Sequence, residues 1–271
     1  IQEKIETIPE DCSLVRPTLL SICNADLRYY TGKRRREDLI KKLPMALIHE
    51  GVGVVENSDK YKKGEKTVII PNITDHNKDE CEICRNVGQN YCPNAKFLSS
   101  GYDGFTQKYL VHPSEFLERI PPTIPDSVAV FSEPSTVFYN IYKRLDIKED
   151  DKLVVFGDGP IGYIFSLYLK RLSKADIYVV GKYEKKLEMF DFVKTMYYDD
   201  KNLIRILDGT DYAFECVGDL SSSYIINTGI KIAKPGGKII LVGVSEDYVP
   251  IDTRNVLAKG LSLIGTSRSE K

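Results

Sequence analysis

No stretch of the 271 residues approaches the run of about 18 apolar side chains that a membrane-crossing helix needs, and the N-terminus shows no basic-then-apolar export pattern. Both absences argue against a membrane span or export, and the cytoplasm is the expected compartment. Charge of one sign is not in excess either, since 38 Lys and Arg face 39 Asp and Glu. That balance shows no global bias toward nucleic acid or an anionic membrane, so neither is an expected partner. Internal repeats and low-complexity linkers are also missing. What remains is the composition of an ordinary enzyme, 42% apolar and 28% charged, long enough to bury a core in one large or two medium domains.

The texture of the chain changes near its middle. The first half mixes short β-rich runs, EKTVIIPN and FTQKYLVHP, with Gly, Pro and Asn punctuation and little helical period, which predicts a compact, mostly β domain. The basic run Lys33 to Arg36 within it reads as a solvated loop. From about Leu145, apolar strands alternate with amphipathic stretches: LVVFG leads to GYIFSLYLKRL, IYVVG to EKKLEMFDFV, DYAFECVG to SSSYIINTGIKIA, and KIILVG to LSLIGT. With a short MYYDD strand these make six strands, the number of a full doubly wound α/β dinucleotide-binding sheet.

The first turn of that half, VVFGDGPIGYI, places Gly157, Gly159 and Gly162 in a G-x-G-x-x-G pattern after a strand and before a helix-like segment, with Pro160 and Ile161 inside it. The first glycine permits the tight turn, the second lets backbone approach a pyrophosphate, and the third allows close helix packing. At the end of the next strand, where NAD enzymes carry an acid for the ribose hydroxyls, the chain reads VVGKYEKK. Gly181 there is expected to leave room, and Lys182, Lys185 or Lys186 to pair with a 2′-phosphate, so NADP(H) is the expected cofactor. The same lysines also fit a solvated helix start.

Six cysteines divide into a cluster, Cys81, Cys84 and Cys92, and three dispersed ones, Cys12, Cys23 and Cys216. Clustering without an export signal favours metal over disulfides. The segment CEICRNVGQNYC suits a small lobe around a structural zinc, but a C-x2-C-x2-C-x7-C scheme would put its first cysteine where Lys78 stands. His76, Asp75 and Asp79 are the candidates for a fourth ligand. Cys23, His49 and Glu50 form a second set: thiolate, imidazole and carboxylate are donors that a catalytic zinc uses while keeping one position open. Taken singly, Cys23 also fits a small buried residue and His49 a satisfied core histidine.

The segments SICNADLRYYTG, LPMALIHEGVGVV, the three-cysteine lobe, SEPSTVFYNIYKR, VVFGDGPIG, DYAFECVG and GGKIILVGVS, in this order, resemble the zinc-containing medium-chain dehydrogenase/reductase family over nearly the whole chain. RYYTGKR, LPMALIHEG and VGVSEDYVPIDTRNVLAKGLSLIGTSRS are most similar to its ribulose-5-phosphate reductases, which supply ribitol 5-phosphate for cell-wall polymers such as teichoic acid; sorbitol-type polyol dehydrogenases come next. The resemblance implies a GroES-like zinc catalytic domain over residues 1–134 and a Rossmann NADP-binding domain over 135–271. It implies Zn2+ held by Cys23, His49 and Glu50, approached or ligated by Glu133, with Asp26 orienting the site. Zinc would polarise a ketone for hydride from NADPH, reducing D-ribulose 5-phosphate to D-ribitol 5-phosphate. An NAD(P)-dependent polyol or alcohol dehydrogenase acting on an unphosphorylated substrate is the alternative, and a non-catalytic member of the fold is the third reading, against which the joint retention of the ligands argues.

Two departures follow from the same resemblance. Ala25 stands where many alcohol dehydrogenases carry the first proton-relay hydroxyl, so a metal-bound water, Glu50, Tyr29 or Tyr30 must serve instead. The family also has a further strand before Ile1 and a returning C-terminal catalytic segment after the sixth strand, and that segment is expected to be absent here. Arg28, five residues after Cys23, is the candidate for binding the substrate phosphate. A homodimer or homotetramer and functional coupling to a cytidylyltransferase are further implications.

Overall fold

A computed structural model describes residues 7–74, 76 and 80–268. The chain divides into two compact units, Ile1–Val137 with Arg268–Lys271, and Phe138–Ser267.

The first unit runs β1 (Cys12–Ser21), α1 (Asn24–Tyr30), α2 (Arg36–Lys42), β2 (Glu50–Asn57), β3 (Lys66–Ile69), β4 (Asn72–Ile73), α3 (Glu82–Asn86), β5 (Lys96–Phe97), β6 (Leu110–Pro113), β7 (Leu117–Arg119), α4 (Asp126–Ala129) and the start of α5 (Ser132–Tyr142). Its main sheet has the order β6-β1-β2-β3-β7, every pair antiparallel. Alternation along these strands sends Val15, Val55, Ile69, Leu110 and Leu117 inward, where they meet Tyr61, Leu98 and Phe105. The mostly β character holds, but the basic run is not only loop. Arg36 opens α2, whose first turn carries Glu37 and Asp38, and Arg34 lies with its guanidinium 4.6 Å from the centre of the Tyr29 ring. Acids in a helix's first turn favour its start, and a cation over an aromatic face is attracted to the ring, so solvation is not the run's only role.

His112 on β6 is fully buried and donates from Nε2 to the Phe116 carbonyl at 3.2 Å. Burial pushes its pKa down to about 4, with the backbone of Phe116 and Ile70 opposing only part of the shift. The ring is therefore neutral in the folded protein, whereas the unfolded chain binds the proton near pH 6.5. Stability is whole above pH 6.5 and is lost as the pH falls from 6.5 to 4, by about 3 kcal/mol. Denaturant titrations across this range should show that fall, and His112→Gln, which keeps a donor for Phe116, should flatten it. An equally steep acid limb in the variant would refute the assignment.

The second unit contains β8 (Lys152–Phe156), α6 (Pro160–Leu172), β9 (Asp176–Gly181), α7 (Glu184–Leu187), β10 (Lys194–Tyr197), α8 (Leu203–Leu207), β11 (Thr210–Glu215), α9 (Ser222–Ile232), β12 (Ala233–Leu241), α10 (Thr253–Lys259) and β13 (Ser262–Gly265). All six expected strands form one parallel sheet of order β10-β9-β8-β11-β12-β13. Numbered from β8, that order is 3-2-1-4-5-6, and it reverses between β8 and β11, the place where open α/β sheets bind ligands at their strands' carboxyl ends. Val154, Phe156, Ala213 and Ile239 from the strands pack against Ile225, Ile226 and Ile230 of α9. The amphipathic EKKLEMFDFV stretch forms only the short α7; beyond it Phe190 and Phe192 meet the ring of Tyr163 on α6 edge-on, at 5.2 and 5.4 Å. Tertiary packing of those two aromatics overrides the helical period.

Candidate active site

Cys23 precedes α1 as its N-cap, and its backbone N–H donates to Asp26 Oδ2 at 3.2 Å. The other Asp26 oxygen, Oδ1, accepts from the Ile48 N–H at 3.0 Å and the Ser99 hydroxyl at 2.9 Å. It also lies 3.3 Å from His49 Nδ1, an electrostatic contact without the alignment of a hydrogen bond. One buried carboxylate thus joins the helix start, the segment before β2 and the Ser99 loop. Ile48 stands at φ +70, a conformation costly for a β-branched residue, and is pinned from both sides, since its carbonyl accepts from the Phe105 N–H at 2.8 Å. That strained residue immediately precedes His49.

The result is a convergent set of donors. His49 Nε2 lies 3.6 Å from Cys23 Sγ, and the ring is braced by Phe97 at 5.2 Å. The donor atoms of His49, Glu50 and Glu133 all lie within 4.8 Å of one another, as do those of Cys23, Asp26 and His49. Glu50 opens β2 opposite Ser21, and Glu133 sits in the first turn of α5. Glu50 is 5% exposed and Glu133 8%. Two carboxylates removed from water side by side are costly without a cation between them. Thiolate, imidazole and carboxylate together fit a borderline-soft zinc ion, so the residues suit the metal.

The titrating groups of the cluster act on one another. Burial raises the pKa of Cys23 and of Glu50. Burial alone would lower His49, but the facing Asp26 and Cys23 hold it well above its ordinary value; burial would raise Asp26, yet His49 and its N–H and hydroxyl donors hold it below the usual carboxylate range. Metal entry must displace protons from the thiol and the ring.

A second donor set forms in the cysteine lobe. His76, Cys81, Cys84 and Cys92 place one donor each within 4.8 Å, with His76 Nε2 3.4 Å from Cys84 Sγ and 3.6 Å from Cys92 Sγ. Hydrogen bonds from Cys84 pull the Cys81 thiol down to about 6, while burial and its thiol neighbours push Cys84 up to about 12, so the thiolate of this pair rests on Cys81. Of the candidates for a fourth ligand, His76 joins the three cysteines; Asp75 and Asp79 lie outside the described residues.

In the second unit, Gly157 follows β8 at φ +129, where a Cβ would stand 3.1 Å from the Cys216 carbonyl. Gly159 caps α6 with open space where its Cβ would be, Pro160 takes the first helical position and Ile161 the next, and a Cβ on Gly162 would overlap the Gly157 carbonyl. Backbone N–H groups and the helix start face an open approach, as a pyrophosphate requires. The end of β9 differs from expectation. A Cβ on Gly181 would meet Asp158 Cβ and Leu187 Cδ2, each at 2.7 Å. The space beside Gly181 is taken by the Asp158 side chain, which only a glycine accommodates there. Asp158 Oδ2 accepts the N–H groups of Lys182 and Tyr183, both at 2.7 Å.

Residues 9–122 match the family described as alcohol dehydrogenase GroES-like domain, and residues 160–271 the family described as zinc-binding dehydrogenase. The chain is 40% identical to the ribulose-5-phosphate reductase of Bacillus spizizenii, over 98% of its own length and 77% of that protein. It is 28% identical to sorbitol dehydrogenase 1 of Saccharomyces cerevisiae, over 91% of this chain and 73% of that one. A crystal structure of S. aureus TarJ in complex with NADPH superposes with a TM-score of 0.78 at 36% identity, covering 99% of this chain and 76% of that chain. The chain belongs to the zinc-binding dehydrogenases. It is an oxidoreductase with a GroES-like fold in its first unit and a Rossmann fold in its second.

Among the remaining expected residues of this zinc-binding dehydrogenase, Arg28 is half-buried in the last turn of α1, and Ala25 occupies its first turn. The Tyr29 hydroxyl is engaged by Ser100 Oγ at 3.3 Å and Lys42 Nζ at 3.2 Å, and Tyr30 is largely exposed. Both facts weaken the tyrosines as proton relays. Sequence reasoning missed Asp158 and Glu215. The Glu215 carboxylate accepts the N–H groups of Val217, Gly218 and Gly243 at 2.9, 2.7 and 3.1 Å, tying together the loops after β11 and β12. Only the acid in DYAFECVG hinted at it, because Gly243 lies 28 positions away.

Proposed function

We propose that the protein reduces D-ribulose 5-phosphate to D-ribitol 5-phosphate with NADPH, supplying ribitol phosphate for cell-wall polymer synthesis. The observation that carries this reading is the 40% identity, across both units, to a protein named as a ribulose-5-phosphate reductase. Cys23, His49 and Glu50 would hold the zinc, with Glu133 at its remaining side. When bound, zinc supplies Lewis acidity that polarises a ketone and stabilises the negative charge its oxygen develops. Asp26 keeps His49 in place through the Ile48 N–H before it and the 3.3 Å contact to its Nδ1. Glu50 is the candidate for delivering the proton, the role for which Ala25 offers no hydroxyl. In the balanced reaction C2 gains a hydride from the nicotinamide and its oxygen gains a proton, leaving NADP+. Gly157, Gly159 and the α6 start receive the pyrophosphate, and Lys182, Lys185 and Lys186 attract the 2′-phosphate.

The first unit is assigned as the catalytic domain and the second as the cofactor domain. His76, Cys81, Cys84 and Cys92 are assigned to a structural zinc. Among the described residues no helix is long and apolar enough to cross a membrane, and a cytoplasmic location is part of the proposal. A homodimer or homotetramer, and coupling to a cytidylyltransferase that consumes the product, belong to the same proposal.

The deciding experiment is NADPH oxidation by the purified full-length protein with ribulose 5-phosphate against ribulose. The phosphate should be strongly preferred. Arg28→Ala should raise KM for the phosphate about tenfold or more and change ribulose little, the selective loss expected when a charge-assisted contact is removed. Equal use of ribulose, or equal impairment of both substrates, would move the assignment to a polyol dehydrogenase.

A further inference from the structure

We propose that Asp158 sets cofactor selectivity: its carboxylate stands at the carboxyl end of β9 in place of the acid that strand lacks, accepts a ribose hydroxyl of NADH, and opposes the 2′-phosphate of NADPH. The inference rests on the NADPH reading above and deepens it.

In a dinucleotide-binding sheet the adenosine ribose lies at the end of the second strand, where an acidic residue of that strand takes its hydroxyls. Here the second strand is β9, and its last residue is Gly181. The acid arrives instead from the Gly-rich loop. Asp158 lies against Gly181 so closely that its Oδ2 would be 2.9 Å from a Cβ placed there. The same oxygen takes the N–H groups of the next two residues, Lys182 and Tyr183. Two short bonds at 2.7 Å to consecutive backbone donors fix the carboxylate at the strand end. Among the described residues no side chain forms an ion pair with it, so its charge is not cancelled by contact. Oδ1 takes no hydrogen bond from them either and is left for a ribose hydroxyl.

The cations gather in the same turn and the helix that follows it. Lys182 and Lys186 lie over the Tyr183 ring at 5.7 and 4.8 Å, and Lys185 follows on α7. A 2′-phosphate would thus feel attraction from three lysines and repulsion from one carboxylate, while a ribose diol gains an acceptor. This geometry predicts an enzyme that uses NADPH with NADH as a second cofactor, and a single residue that tunes the ratio. It also changes how the strand end can be probed: an acid introduced at Gly181 would collide with Asp158 and Leu187, and so report packing instead of charge.

A purely structural Asp158 is the competing explanation, since an acid before a helix N-terminus is favoured by the helix dipole and these two bonds tether the Lys182–Tyr183 turn. Asp158→Asn separates the two, because the amide oxygen can keep both N–H bonds while the charge is gone. Asp158→Ala removes charge and tether together. The probes are 2′,5′-ADP and 5′-ADP, titrated calorimetrically against the full-length protein without turnover. Asp158→Asn should tighten 2′,5′-ADP about five- to tenfold and leave 5′-ADP unchanged or weaker, the size expected for one partly screened charge near a phosphate. Raising the salt should shrink that gain. Asp158→Ala should move the ratio of the two affinities the same way, with an added loss common to both probes. An unchanged ratio in both variants, or a selective loss of 2′,5′-ADP, would overturn the proposal. The wild-type ratio tests the NADPH reading separately: a wild-type preference for 5′-ADP would end that reading, whereas the change on substitution alone decides Asp158.

Discussion

Cys23→Ser should lower turnover about a thousandfold or more while leaving the fold and NADPH binding largely intact. A hydroxyl is a far poorer zinc ligand than a thiolate, and the metal's contribution to stabilising the developing charge is worth several kcal/mol, each 1.4 of which is tenfold in rate. Cys23 Sγ faces His49 Nε2 at 3.6 Å, and removing it leaves only imidazole and carboxylates to close the site. Metal content measured beside a nucleotide titration makes the test specific, because the cofactor residues lie in the other compact unit. The variant should lose the metal of the Cys23 site and retain that of the His76, Cys81, Cys84 and Cys92 lobe. His76→Ala should show the opposite loss. Unchanged zinc and unchanged rate in Cys23→Ser would sink the assignment of this cluster as the catalytic centre.

Gly162→Ala should be the most damaging single methyl group in the cofactor unit. In an ordinary helix the change from Gly to Ala stabilises by up to about 1 kcal/mol. Here the new Cβ would overlap the Gly157 carbonyl, so α6 and the turn after β8 must separate, at a cost of about 1–3 kcal/mol typical of forced overpacking. The pyrophosphate cradle is that turn and that helix start, and NADPH affinity should therefore fall about a hundredfold together with the melting temperature. Gly159→Ala provides the contrast. Its Cβ would meet nothing in the protein, so stability should hold while NADPH weakens, because the methyl occupies the approach the pyrophosphate needs. If Gly162→Ala keeps both its melting temperature and its affinity, the close approach is not what holds the cradle.

The Rossmann half was largely legible because its signals are local. Each apolar run became a strand of β8 to β13, and the three glycines fell at the turn where strand meets helix. The EKKLEMFDFV stretch was misread as one long amphipathic segment because periodicity does not report that Phe190 and Phe192 are claimed by Tyr163. In the first unit residue types and their order picked out Cys23, His49 and Glu50, and the fold brings a His49 donor atom within 4.8 Å of donor atoms of both others; cysteine spacing picked out the lobe. Lys33 to Arg36 is largely the exposed loop its composition suggests; what composition does not show is that Arg34 lies over Tyr29 and that Arg36 begins a helix.

The strand pattern, the Gly-rich turn, the thiol cluster and the candidate zinc donors can be read from the chain alone, since period, turn chemistry and ligand softness are properties of residues and their near neighbours. Only the tertiary structure decided that His76 joins the lobe, that Asp26 links Cys23, Ile48 and Ser99, and that Asp158 fills the space beside Gly181. Those outcomes depend on which distant segments are packed into contact and which polar groups are thereby cut off from water. Burial and partnership of that kind arise from the whole fold, and no short stretch of chain encodes them.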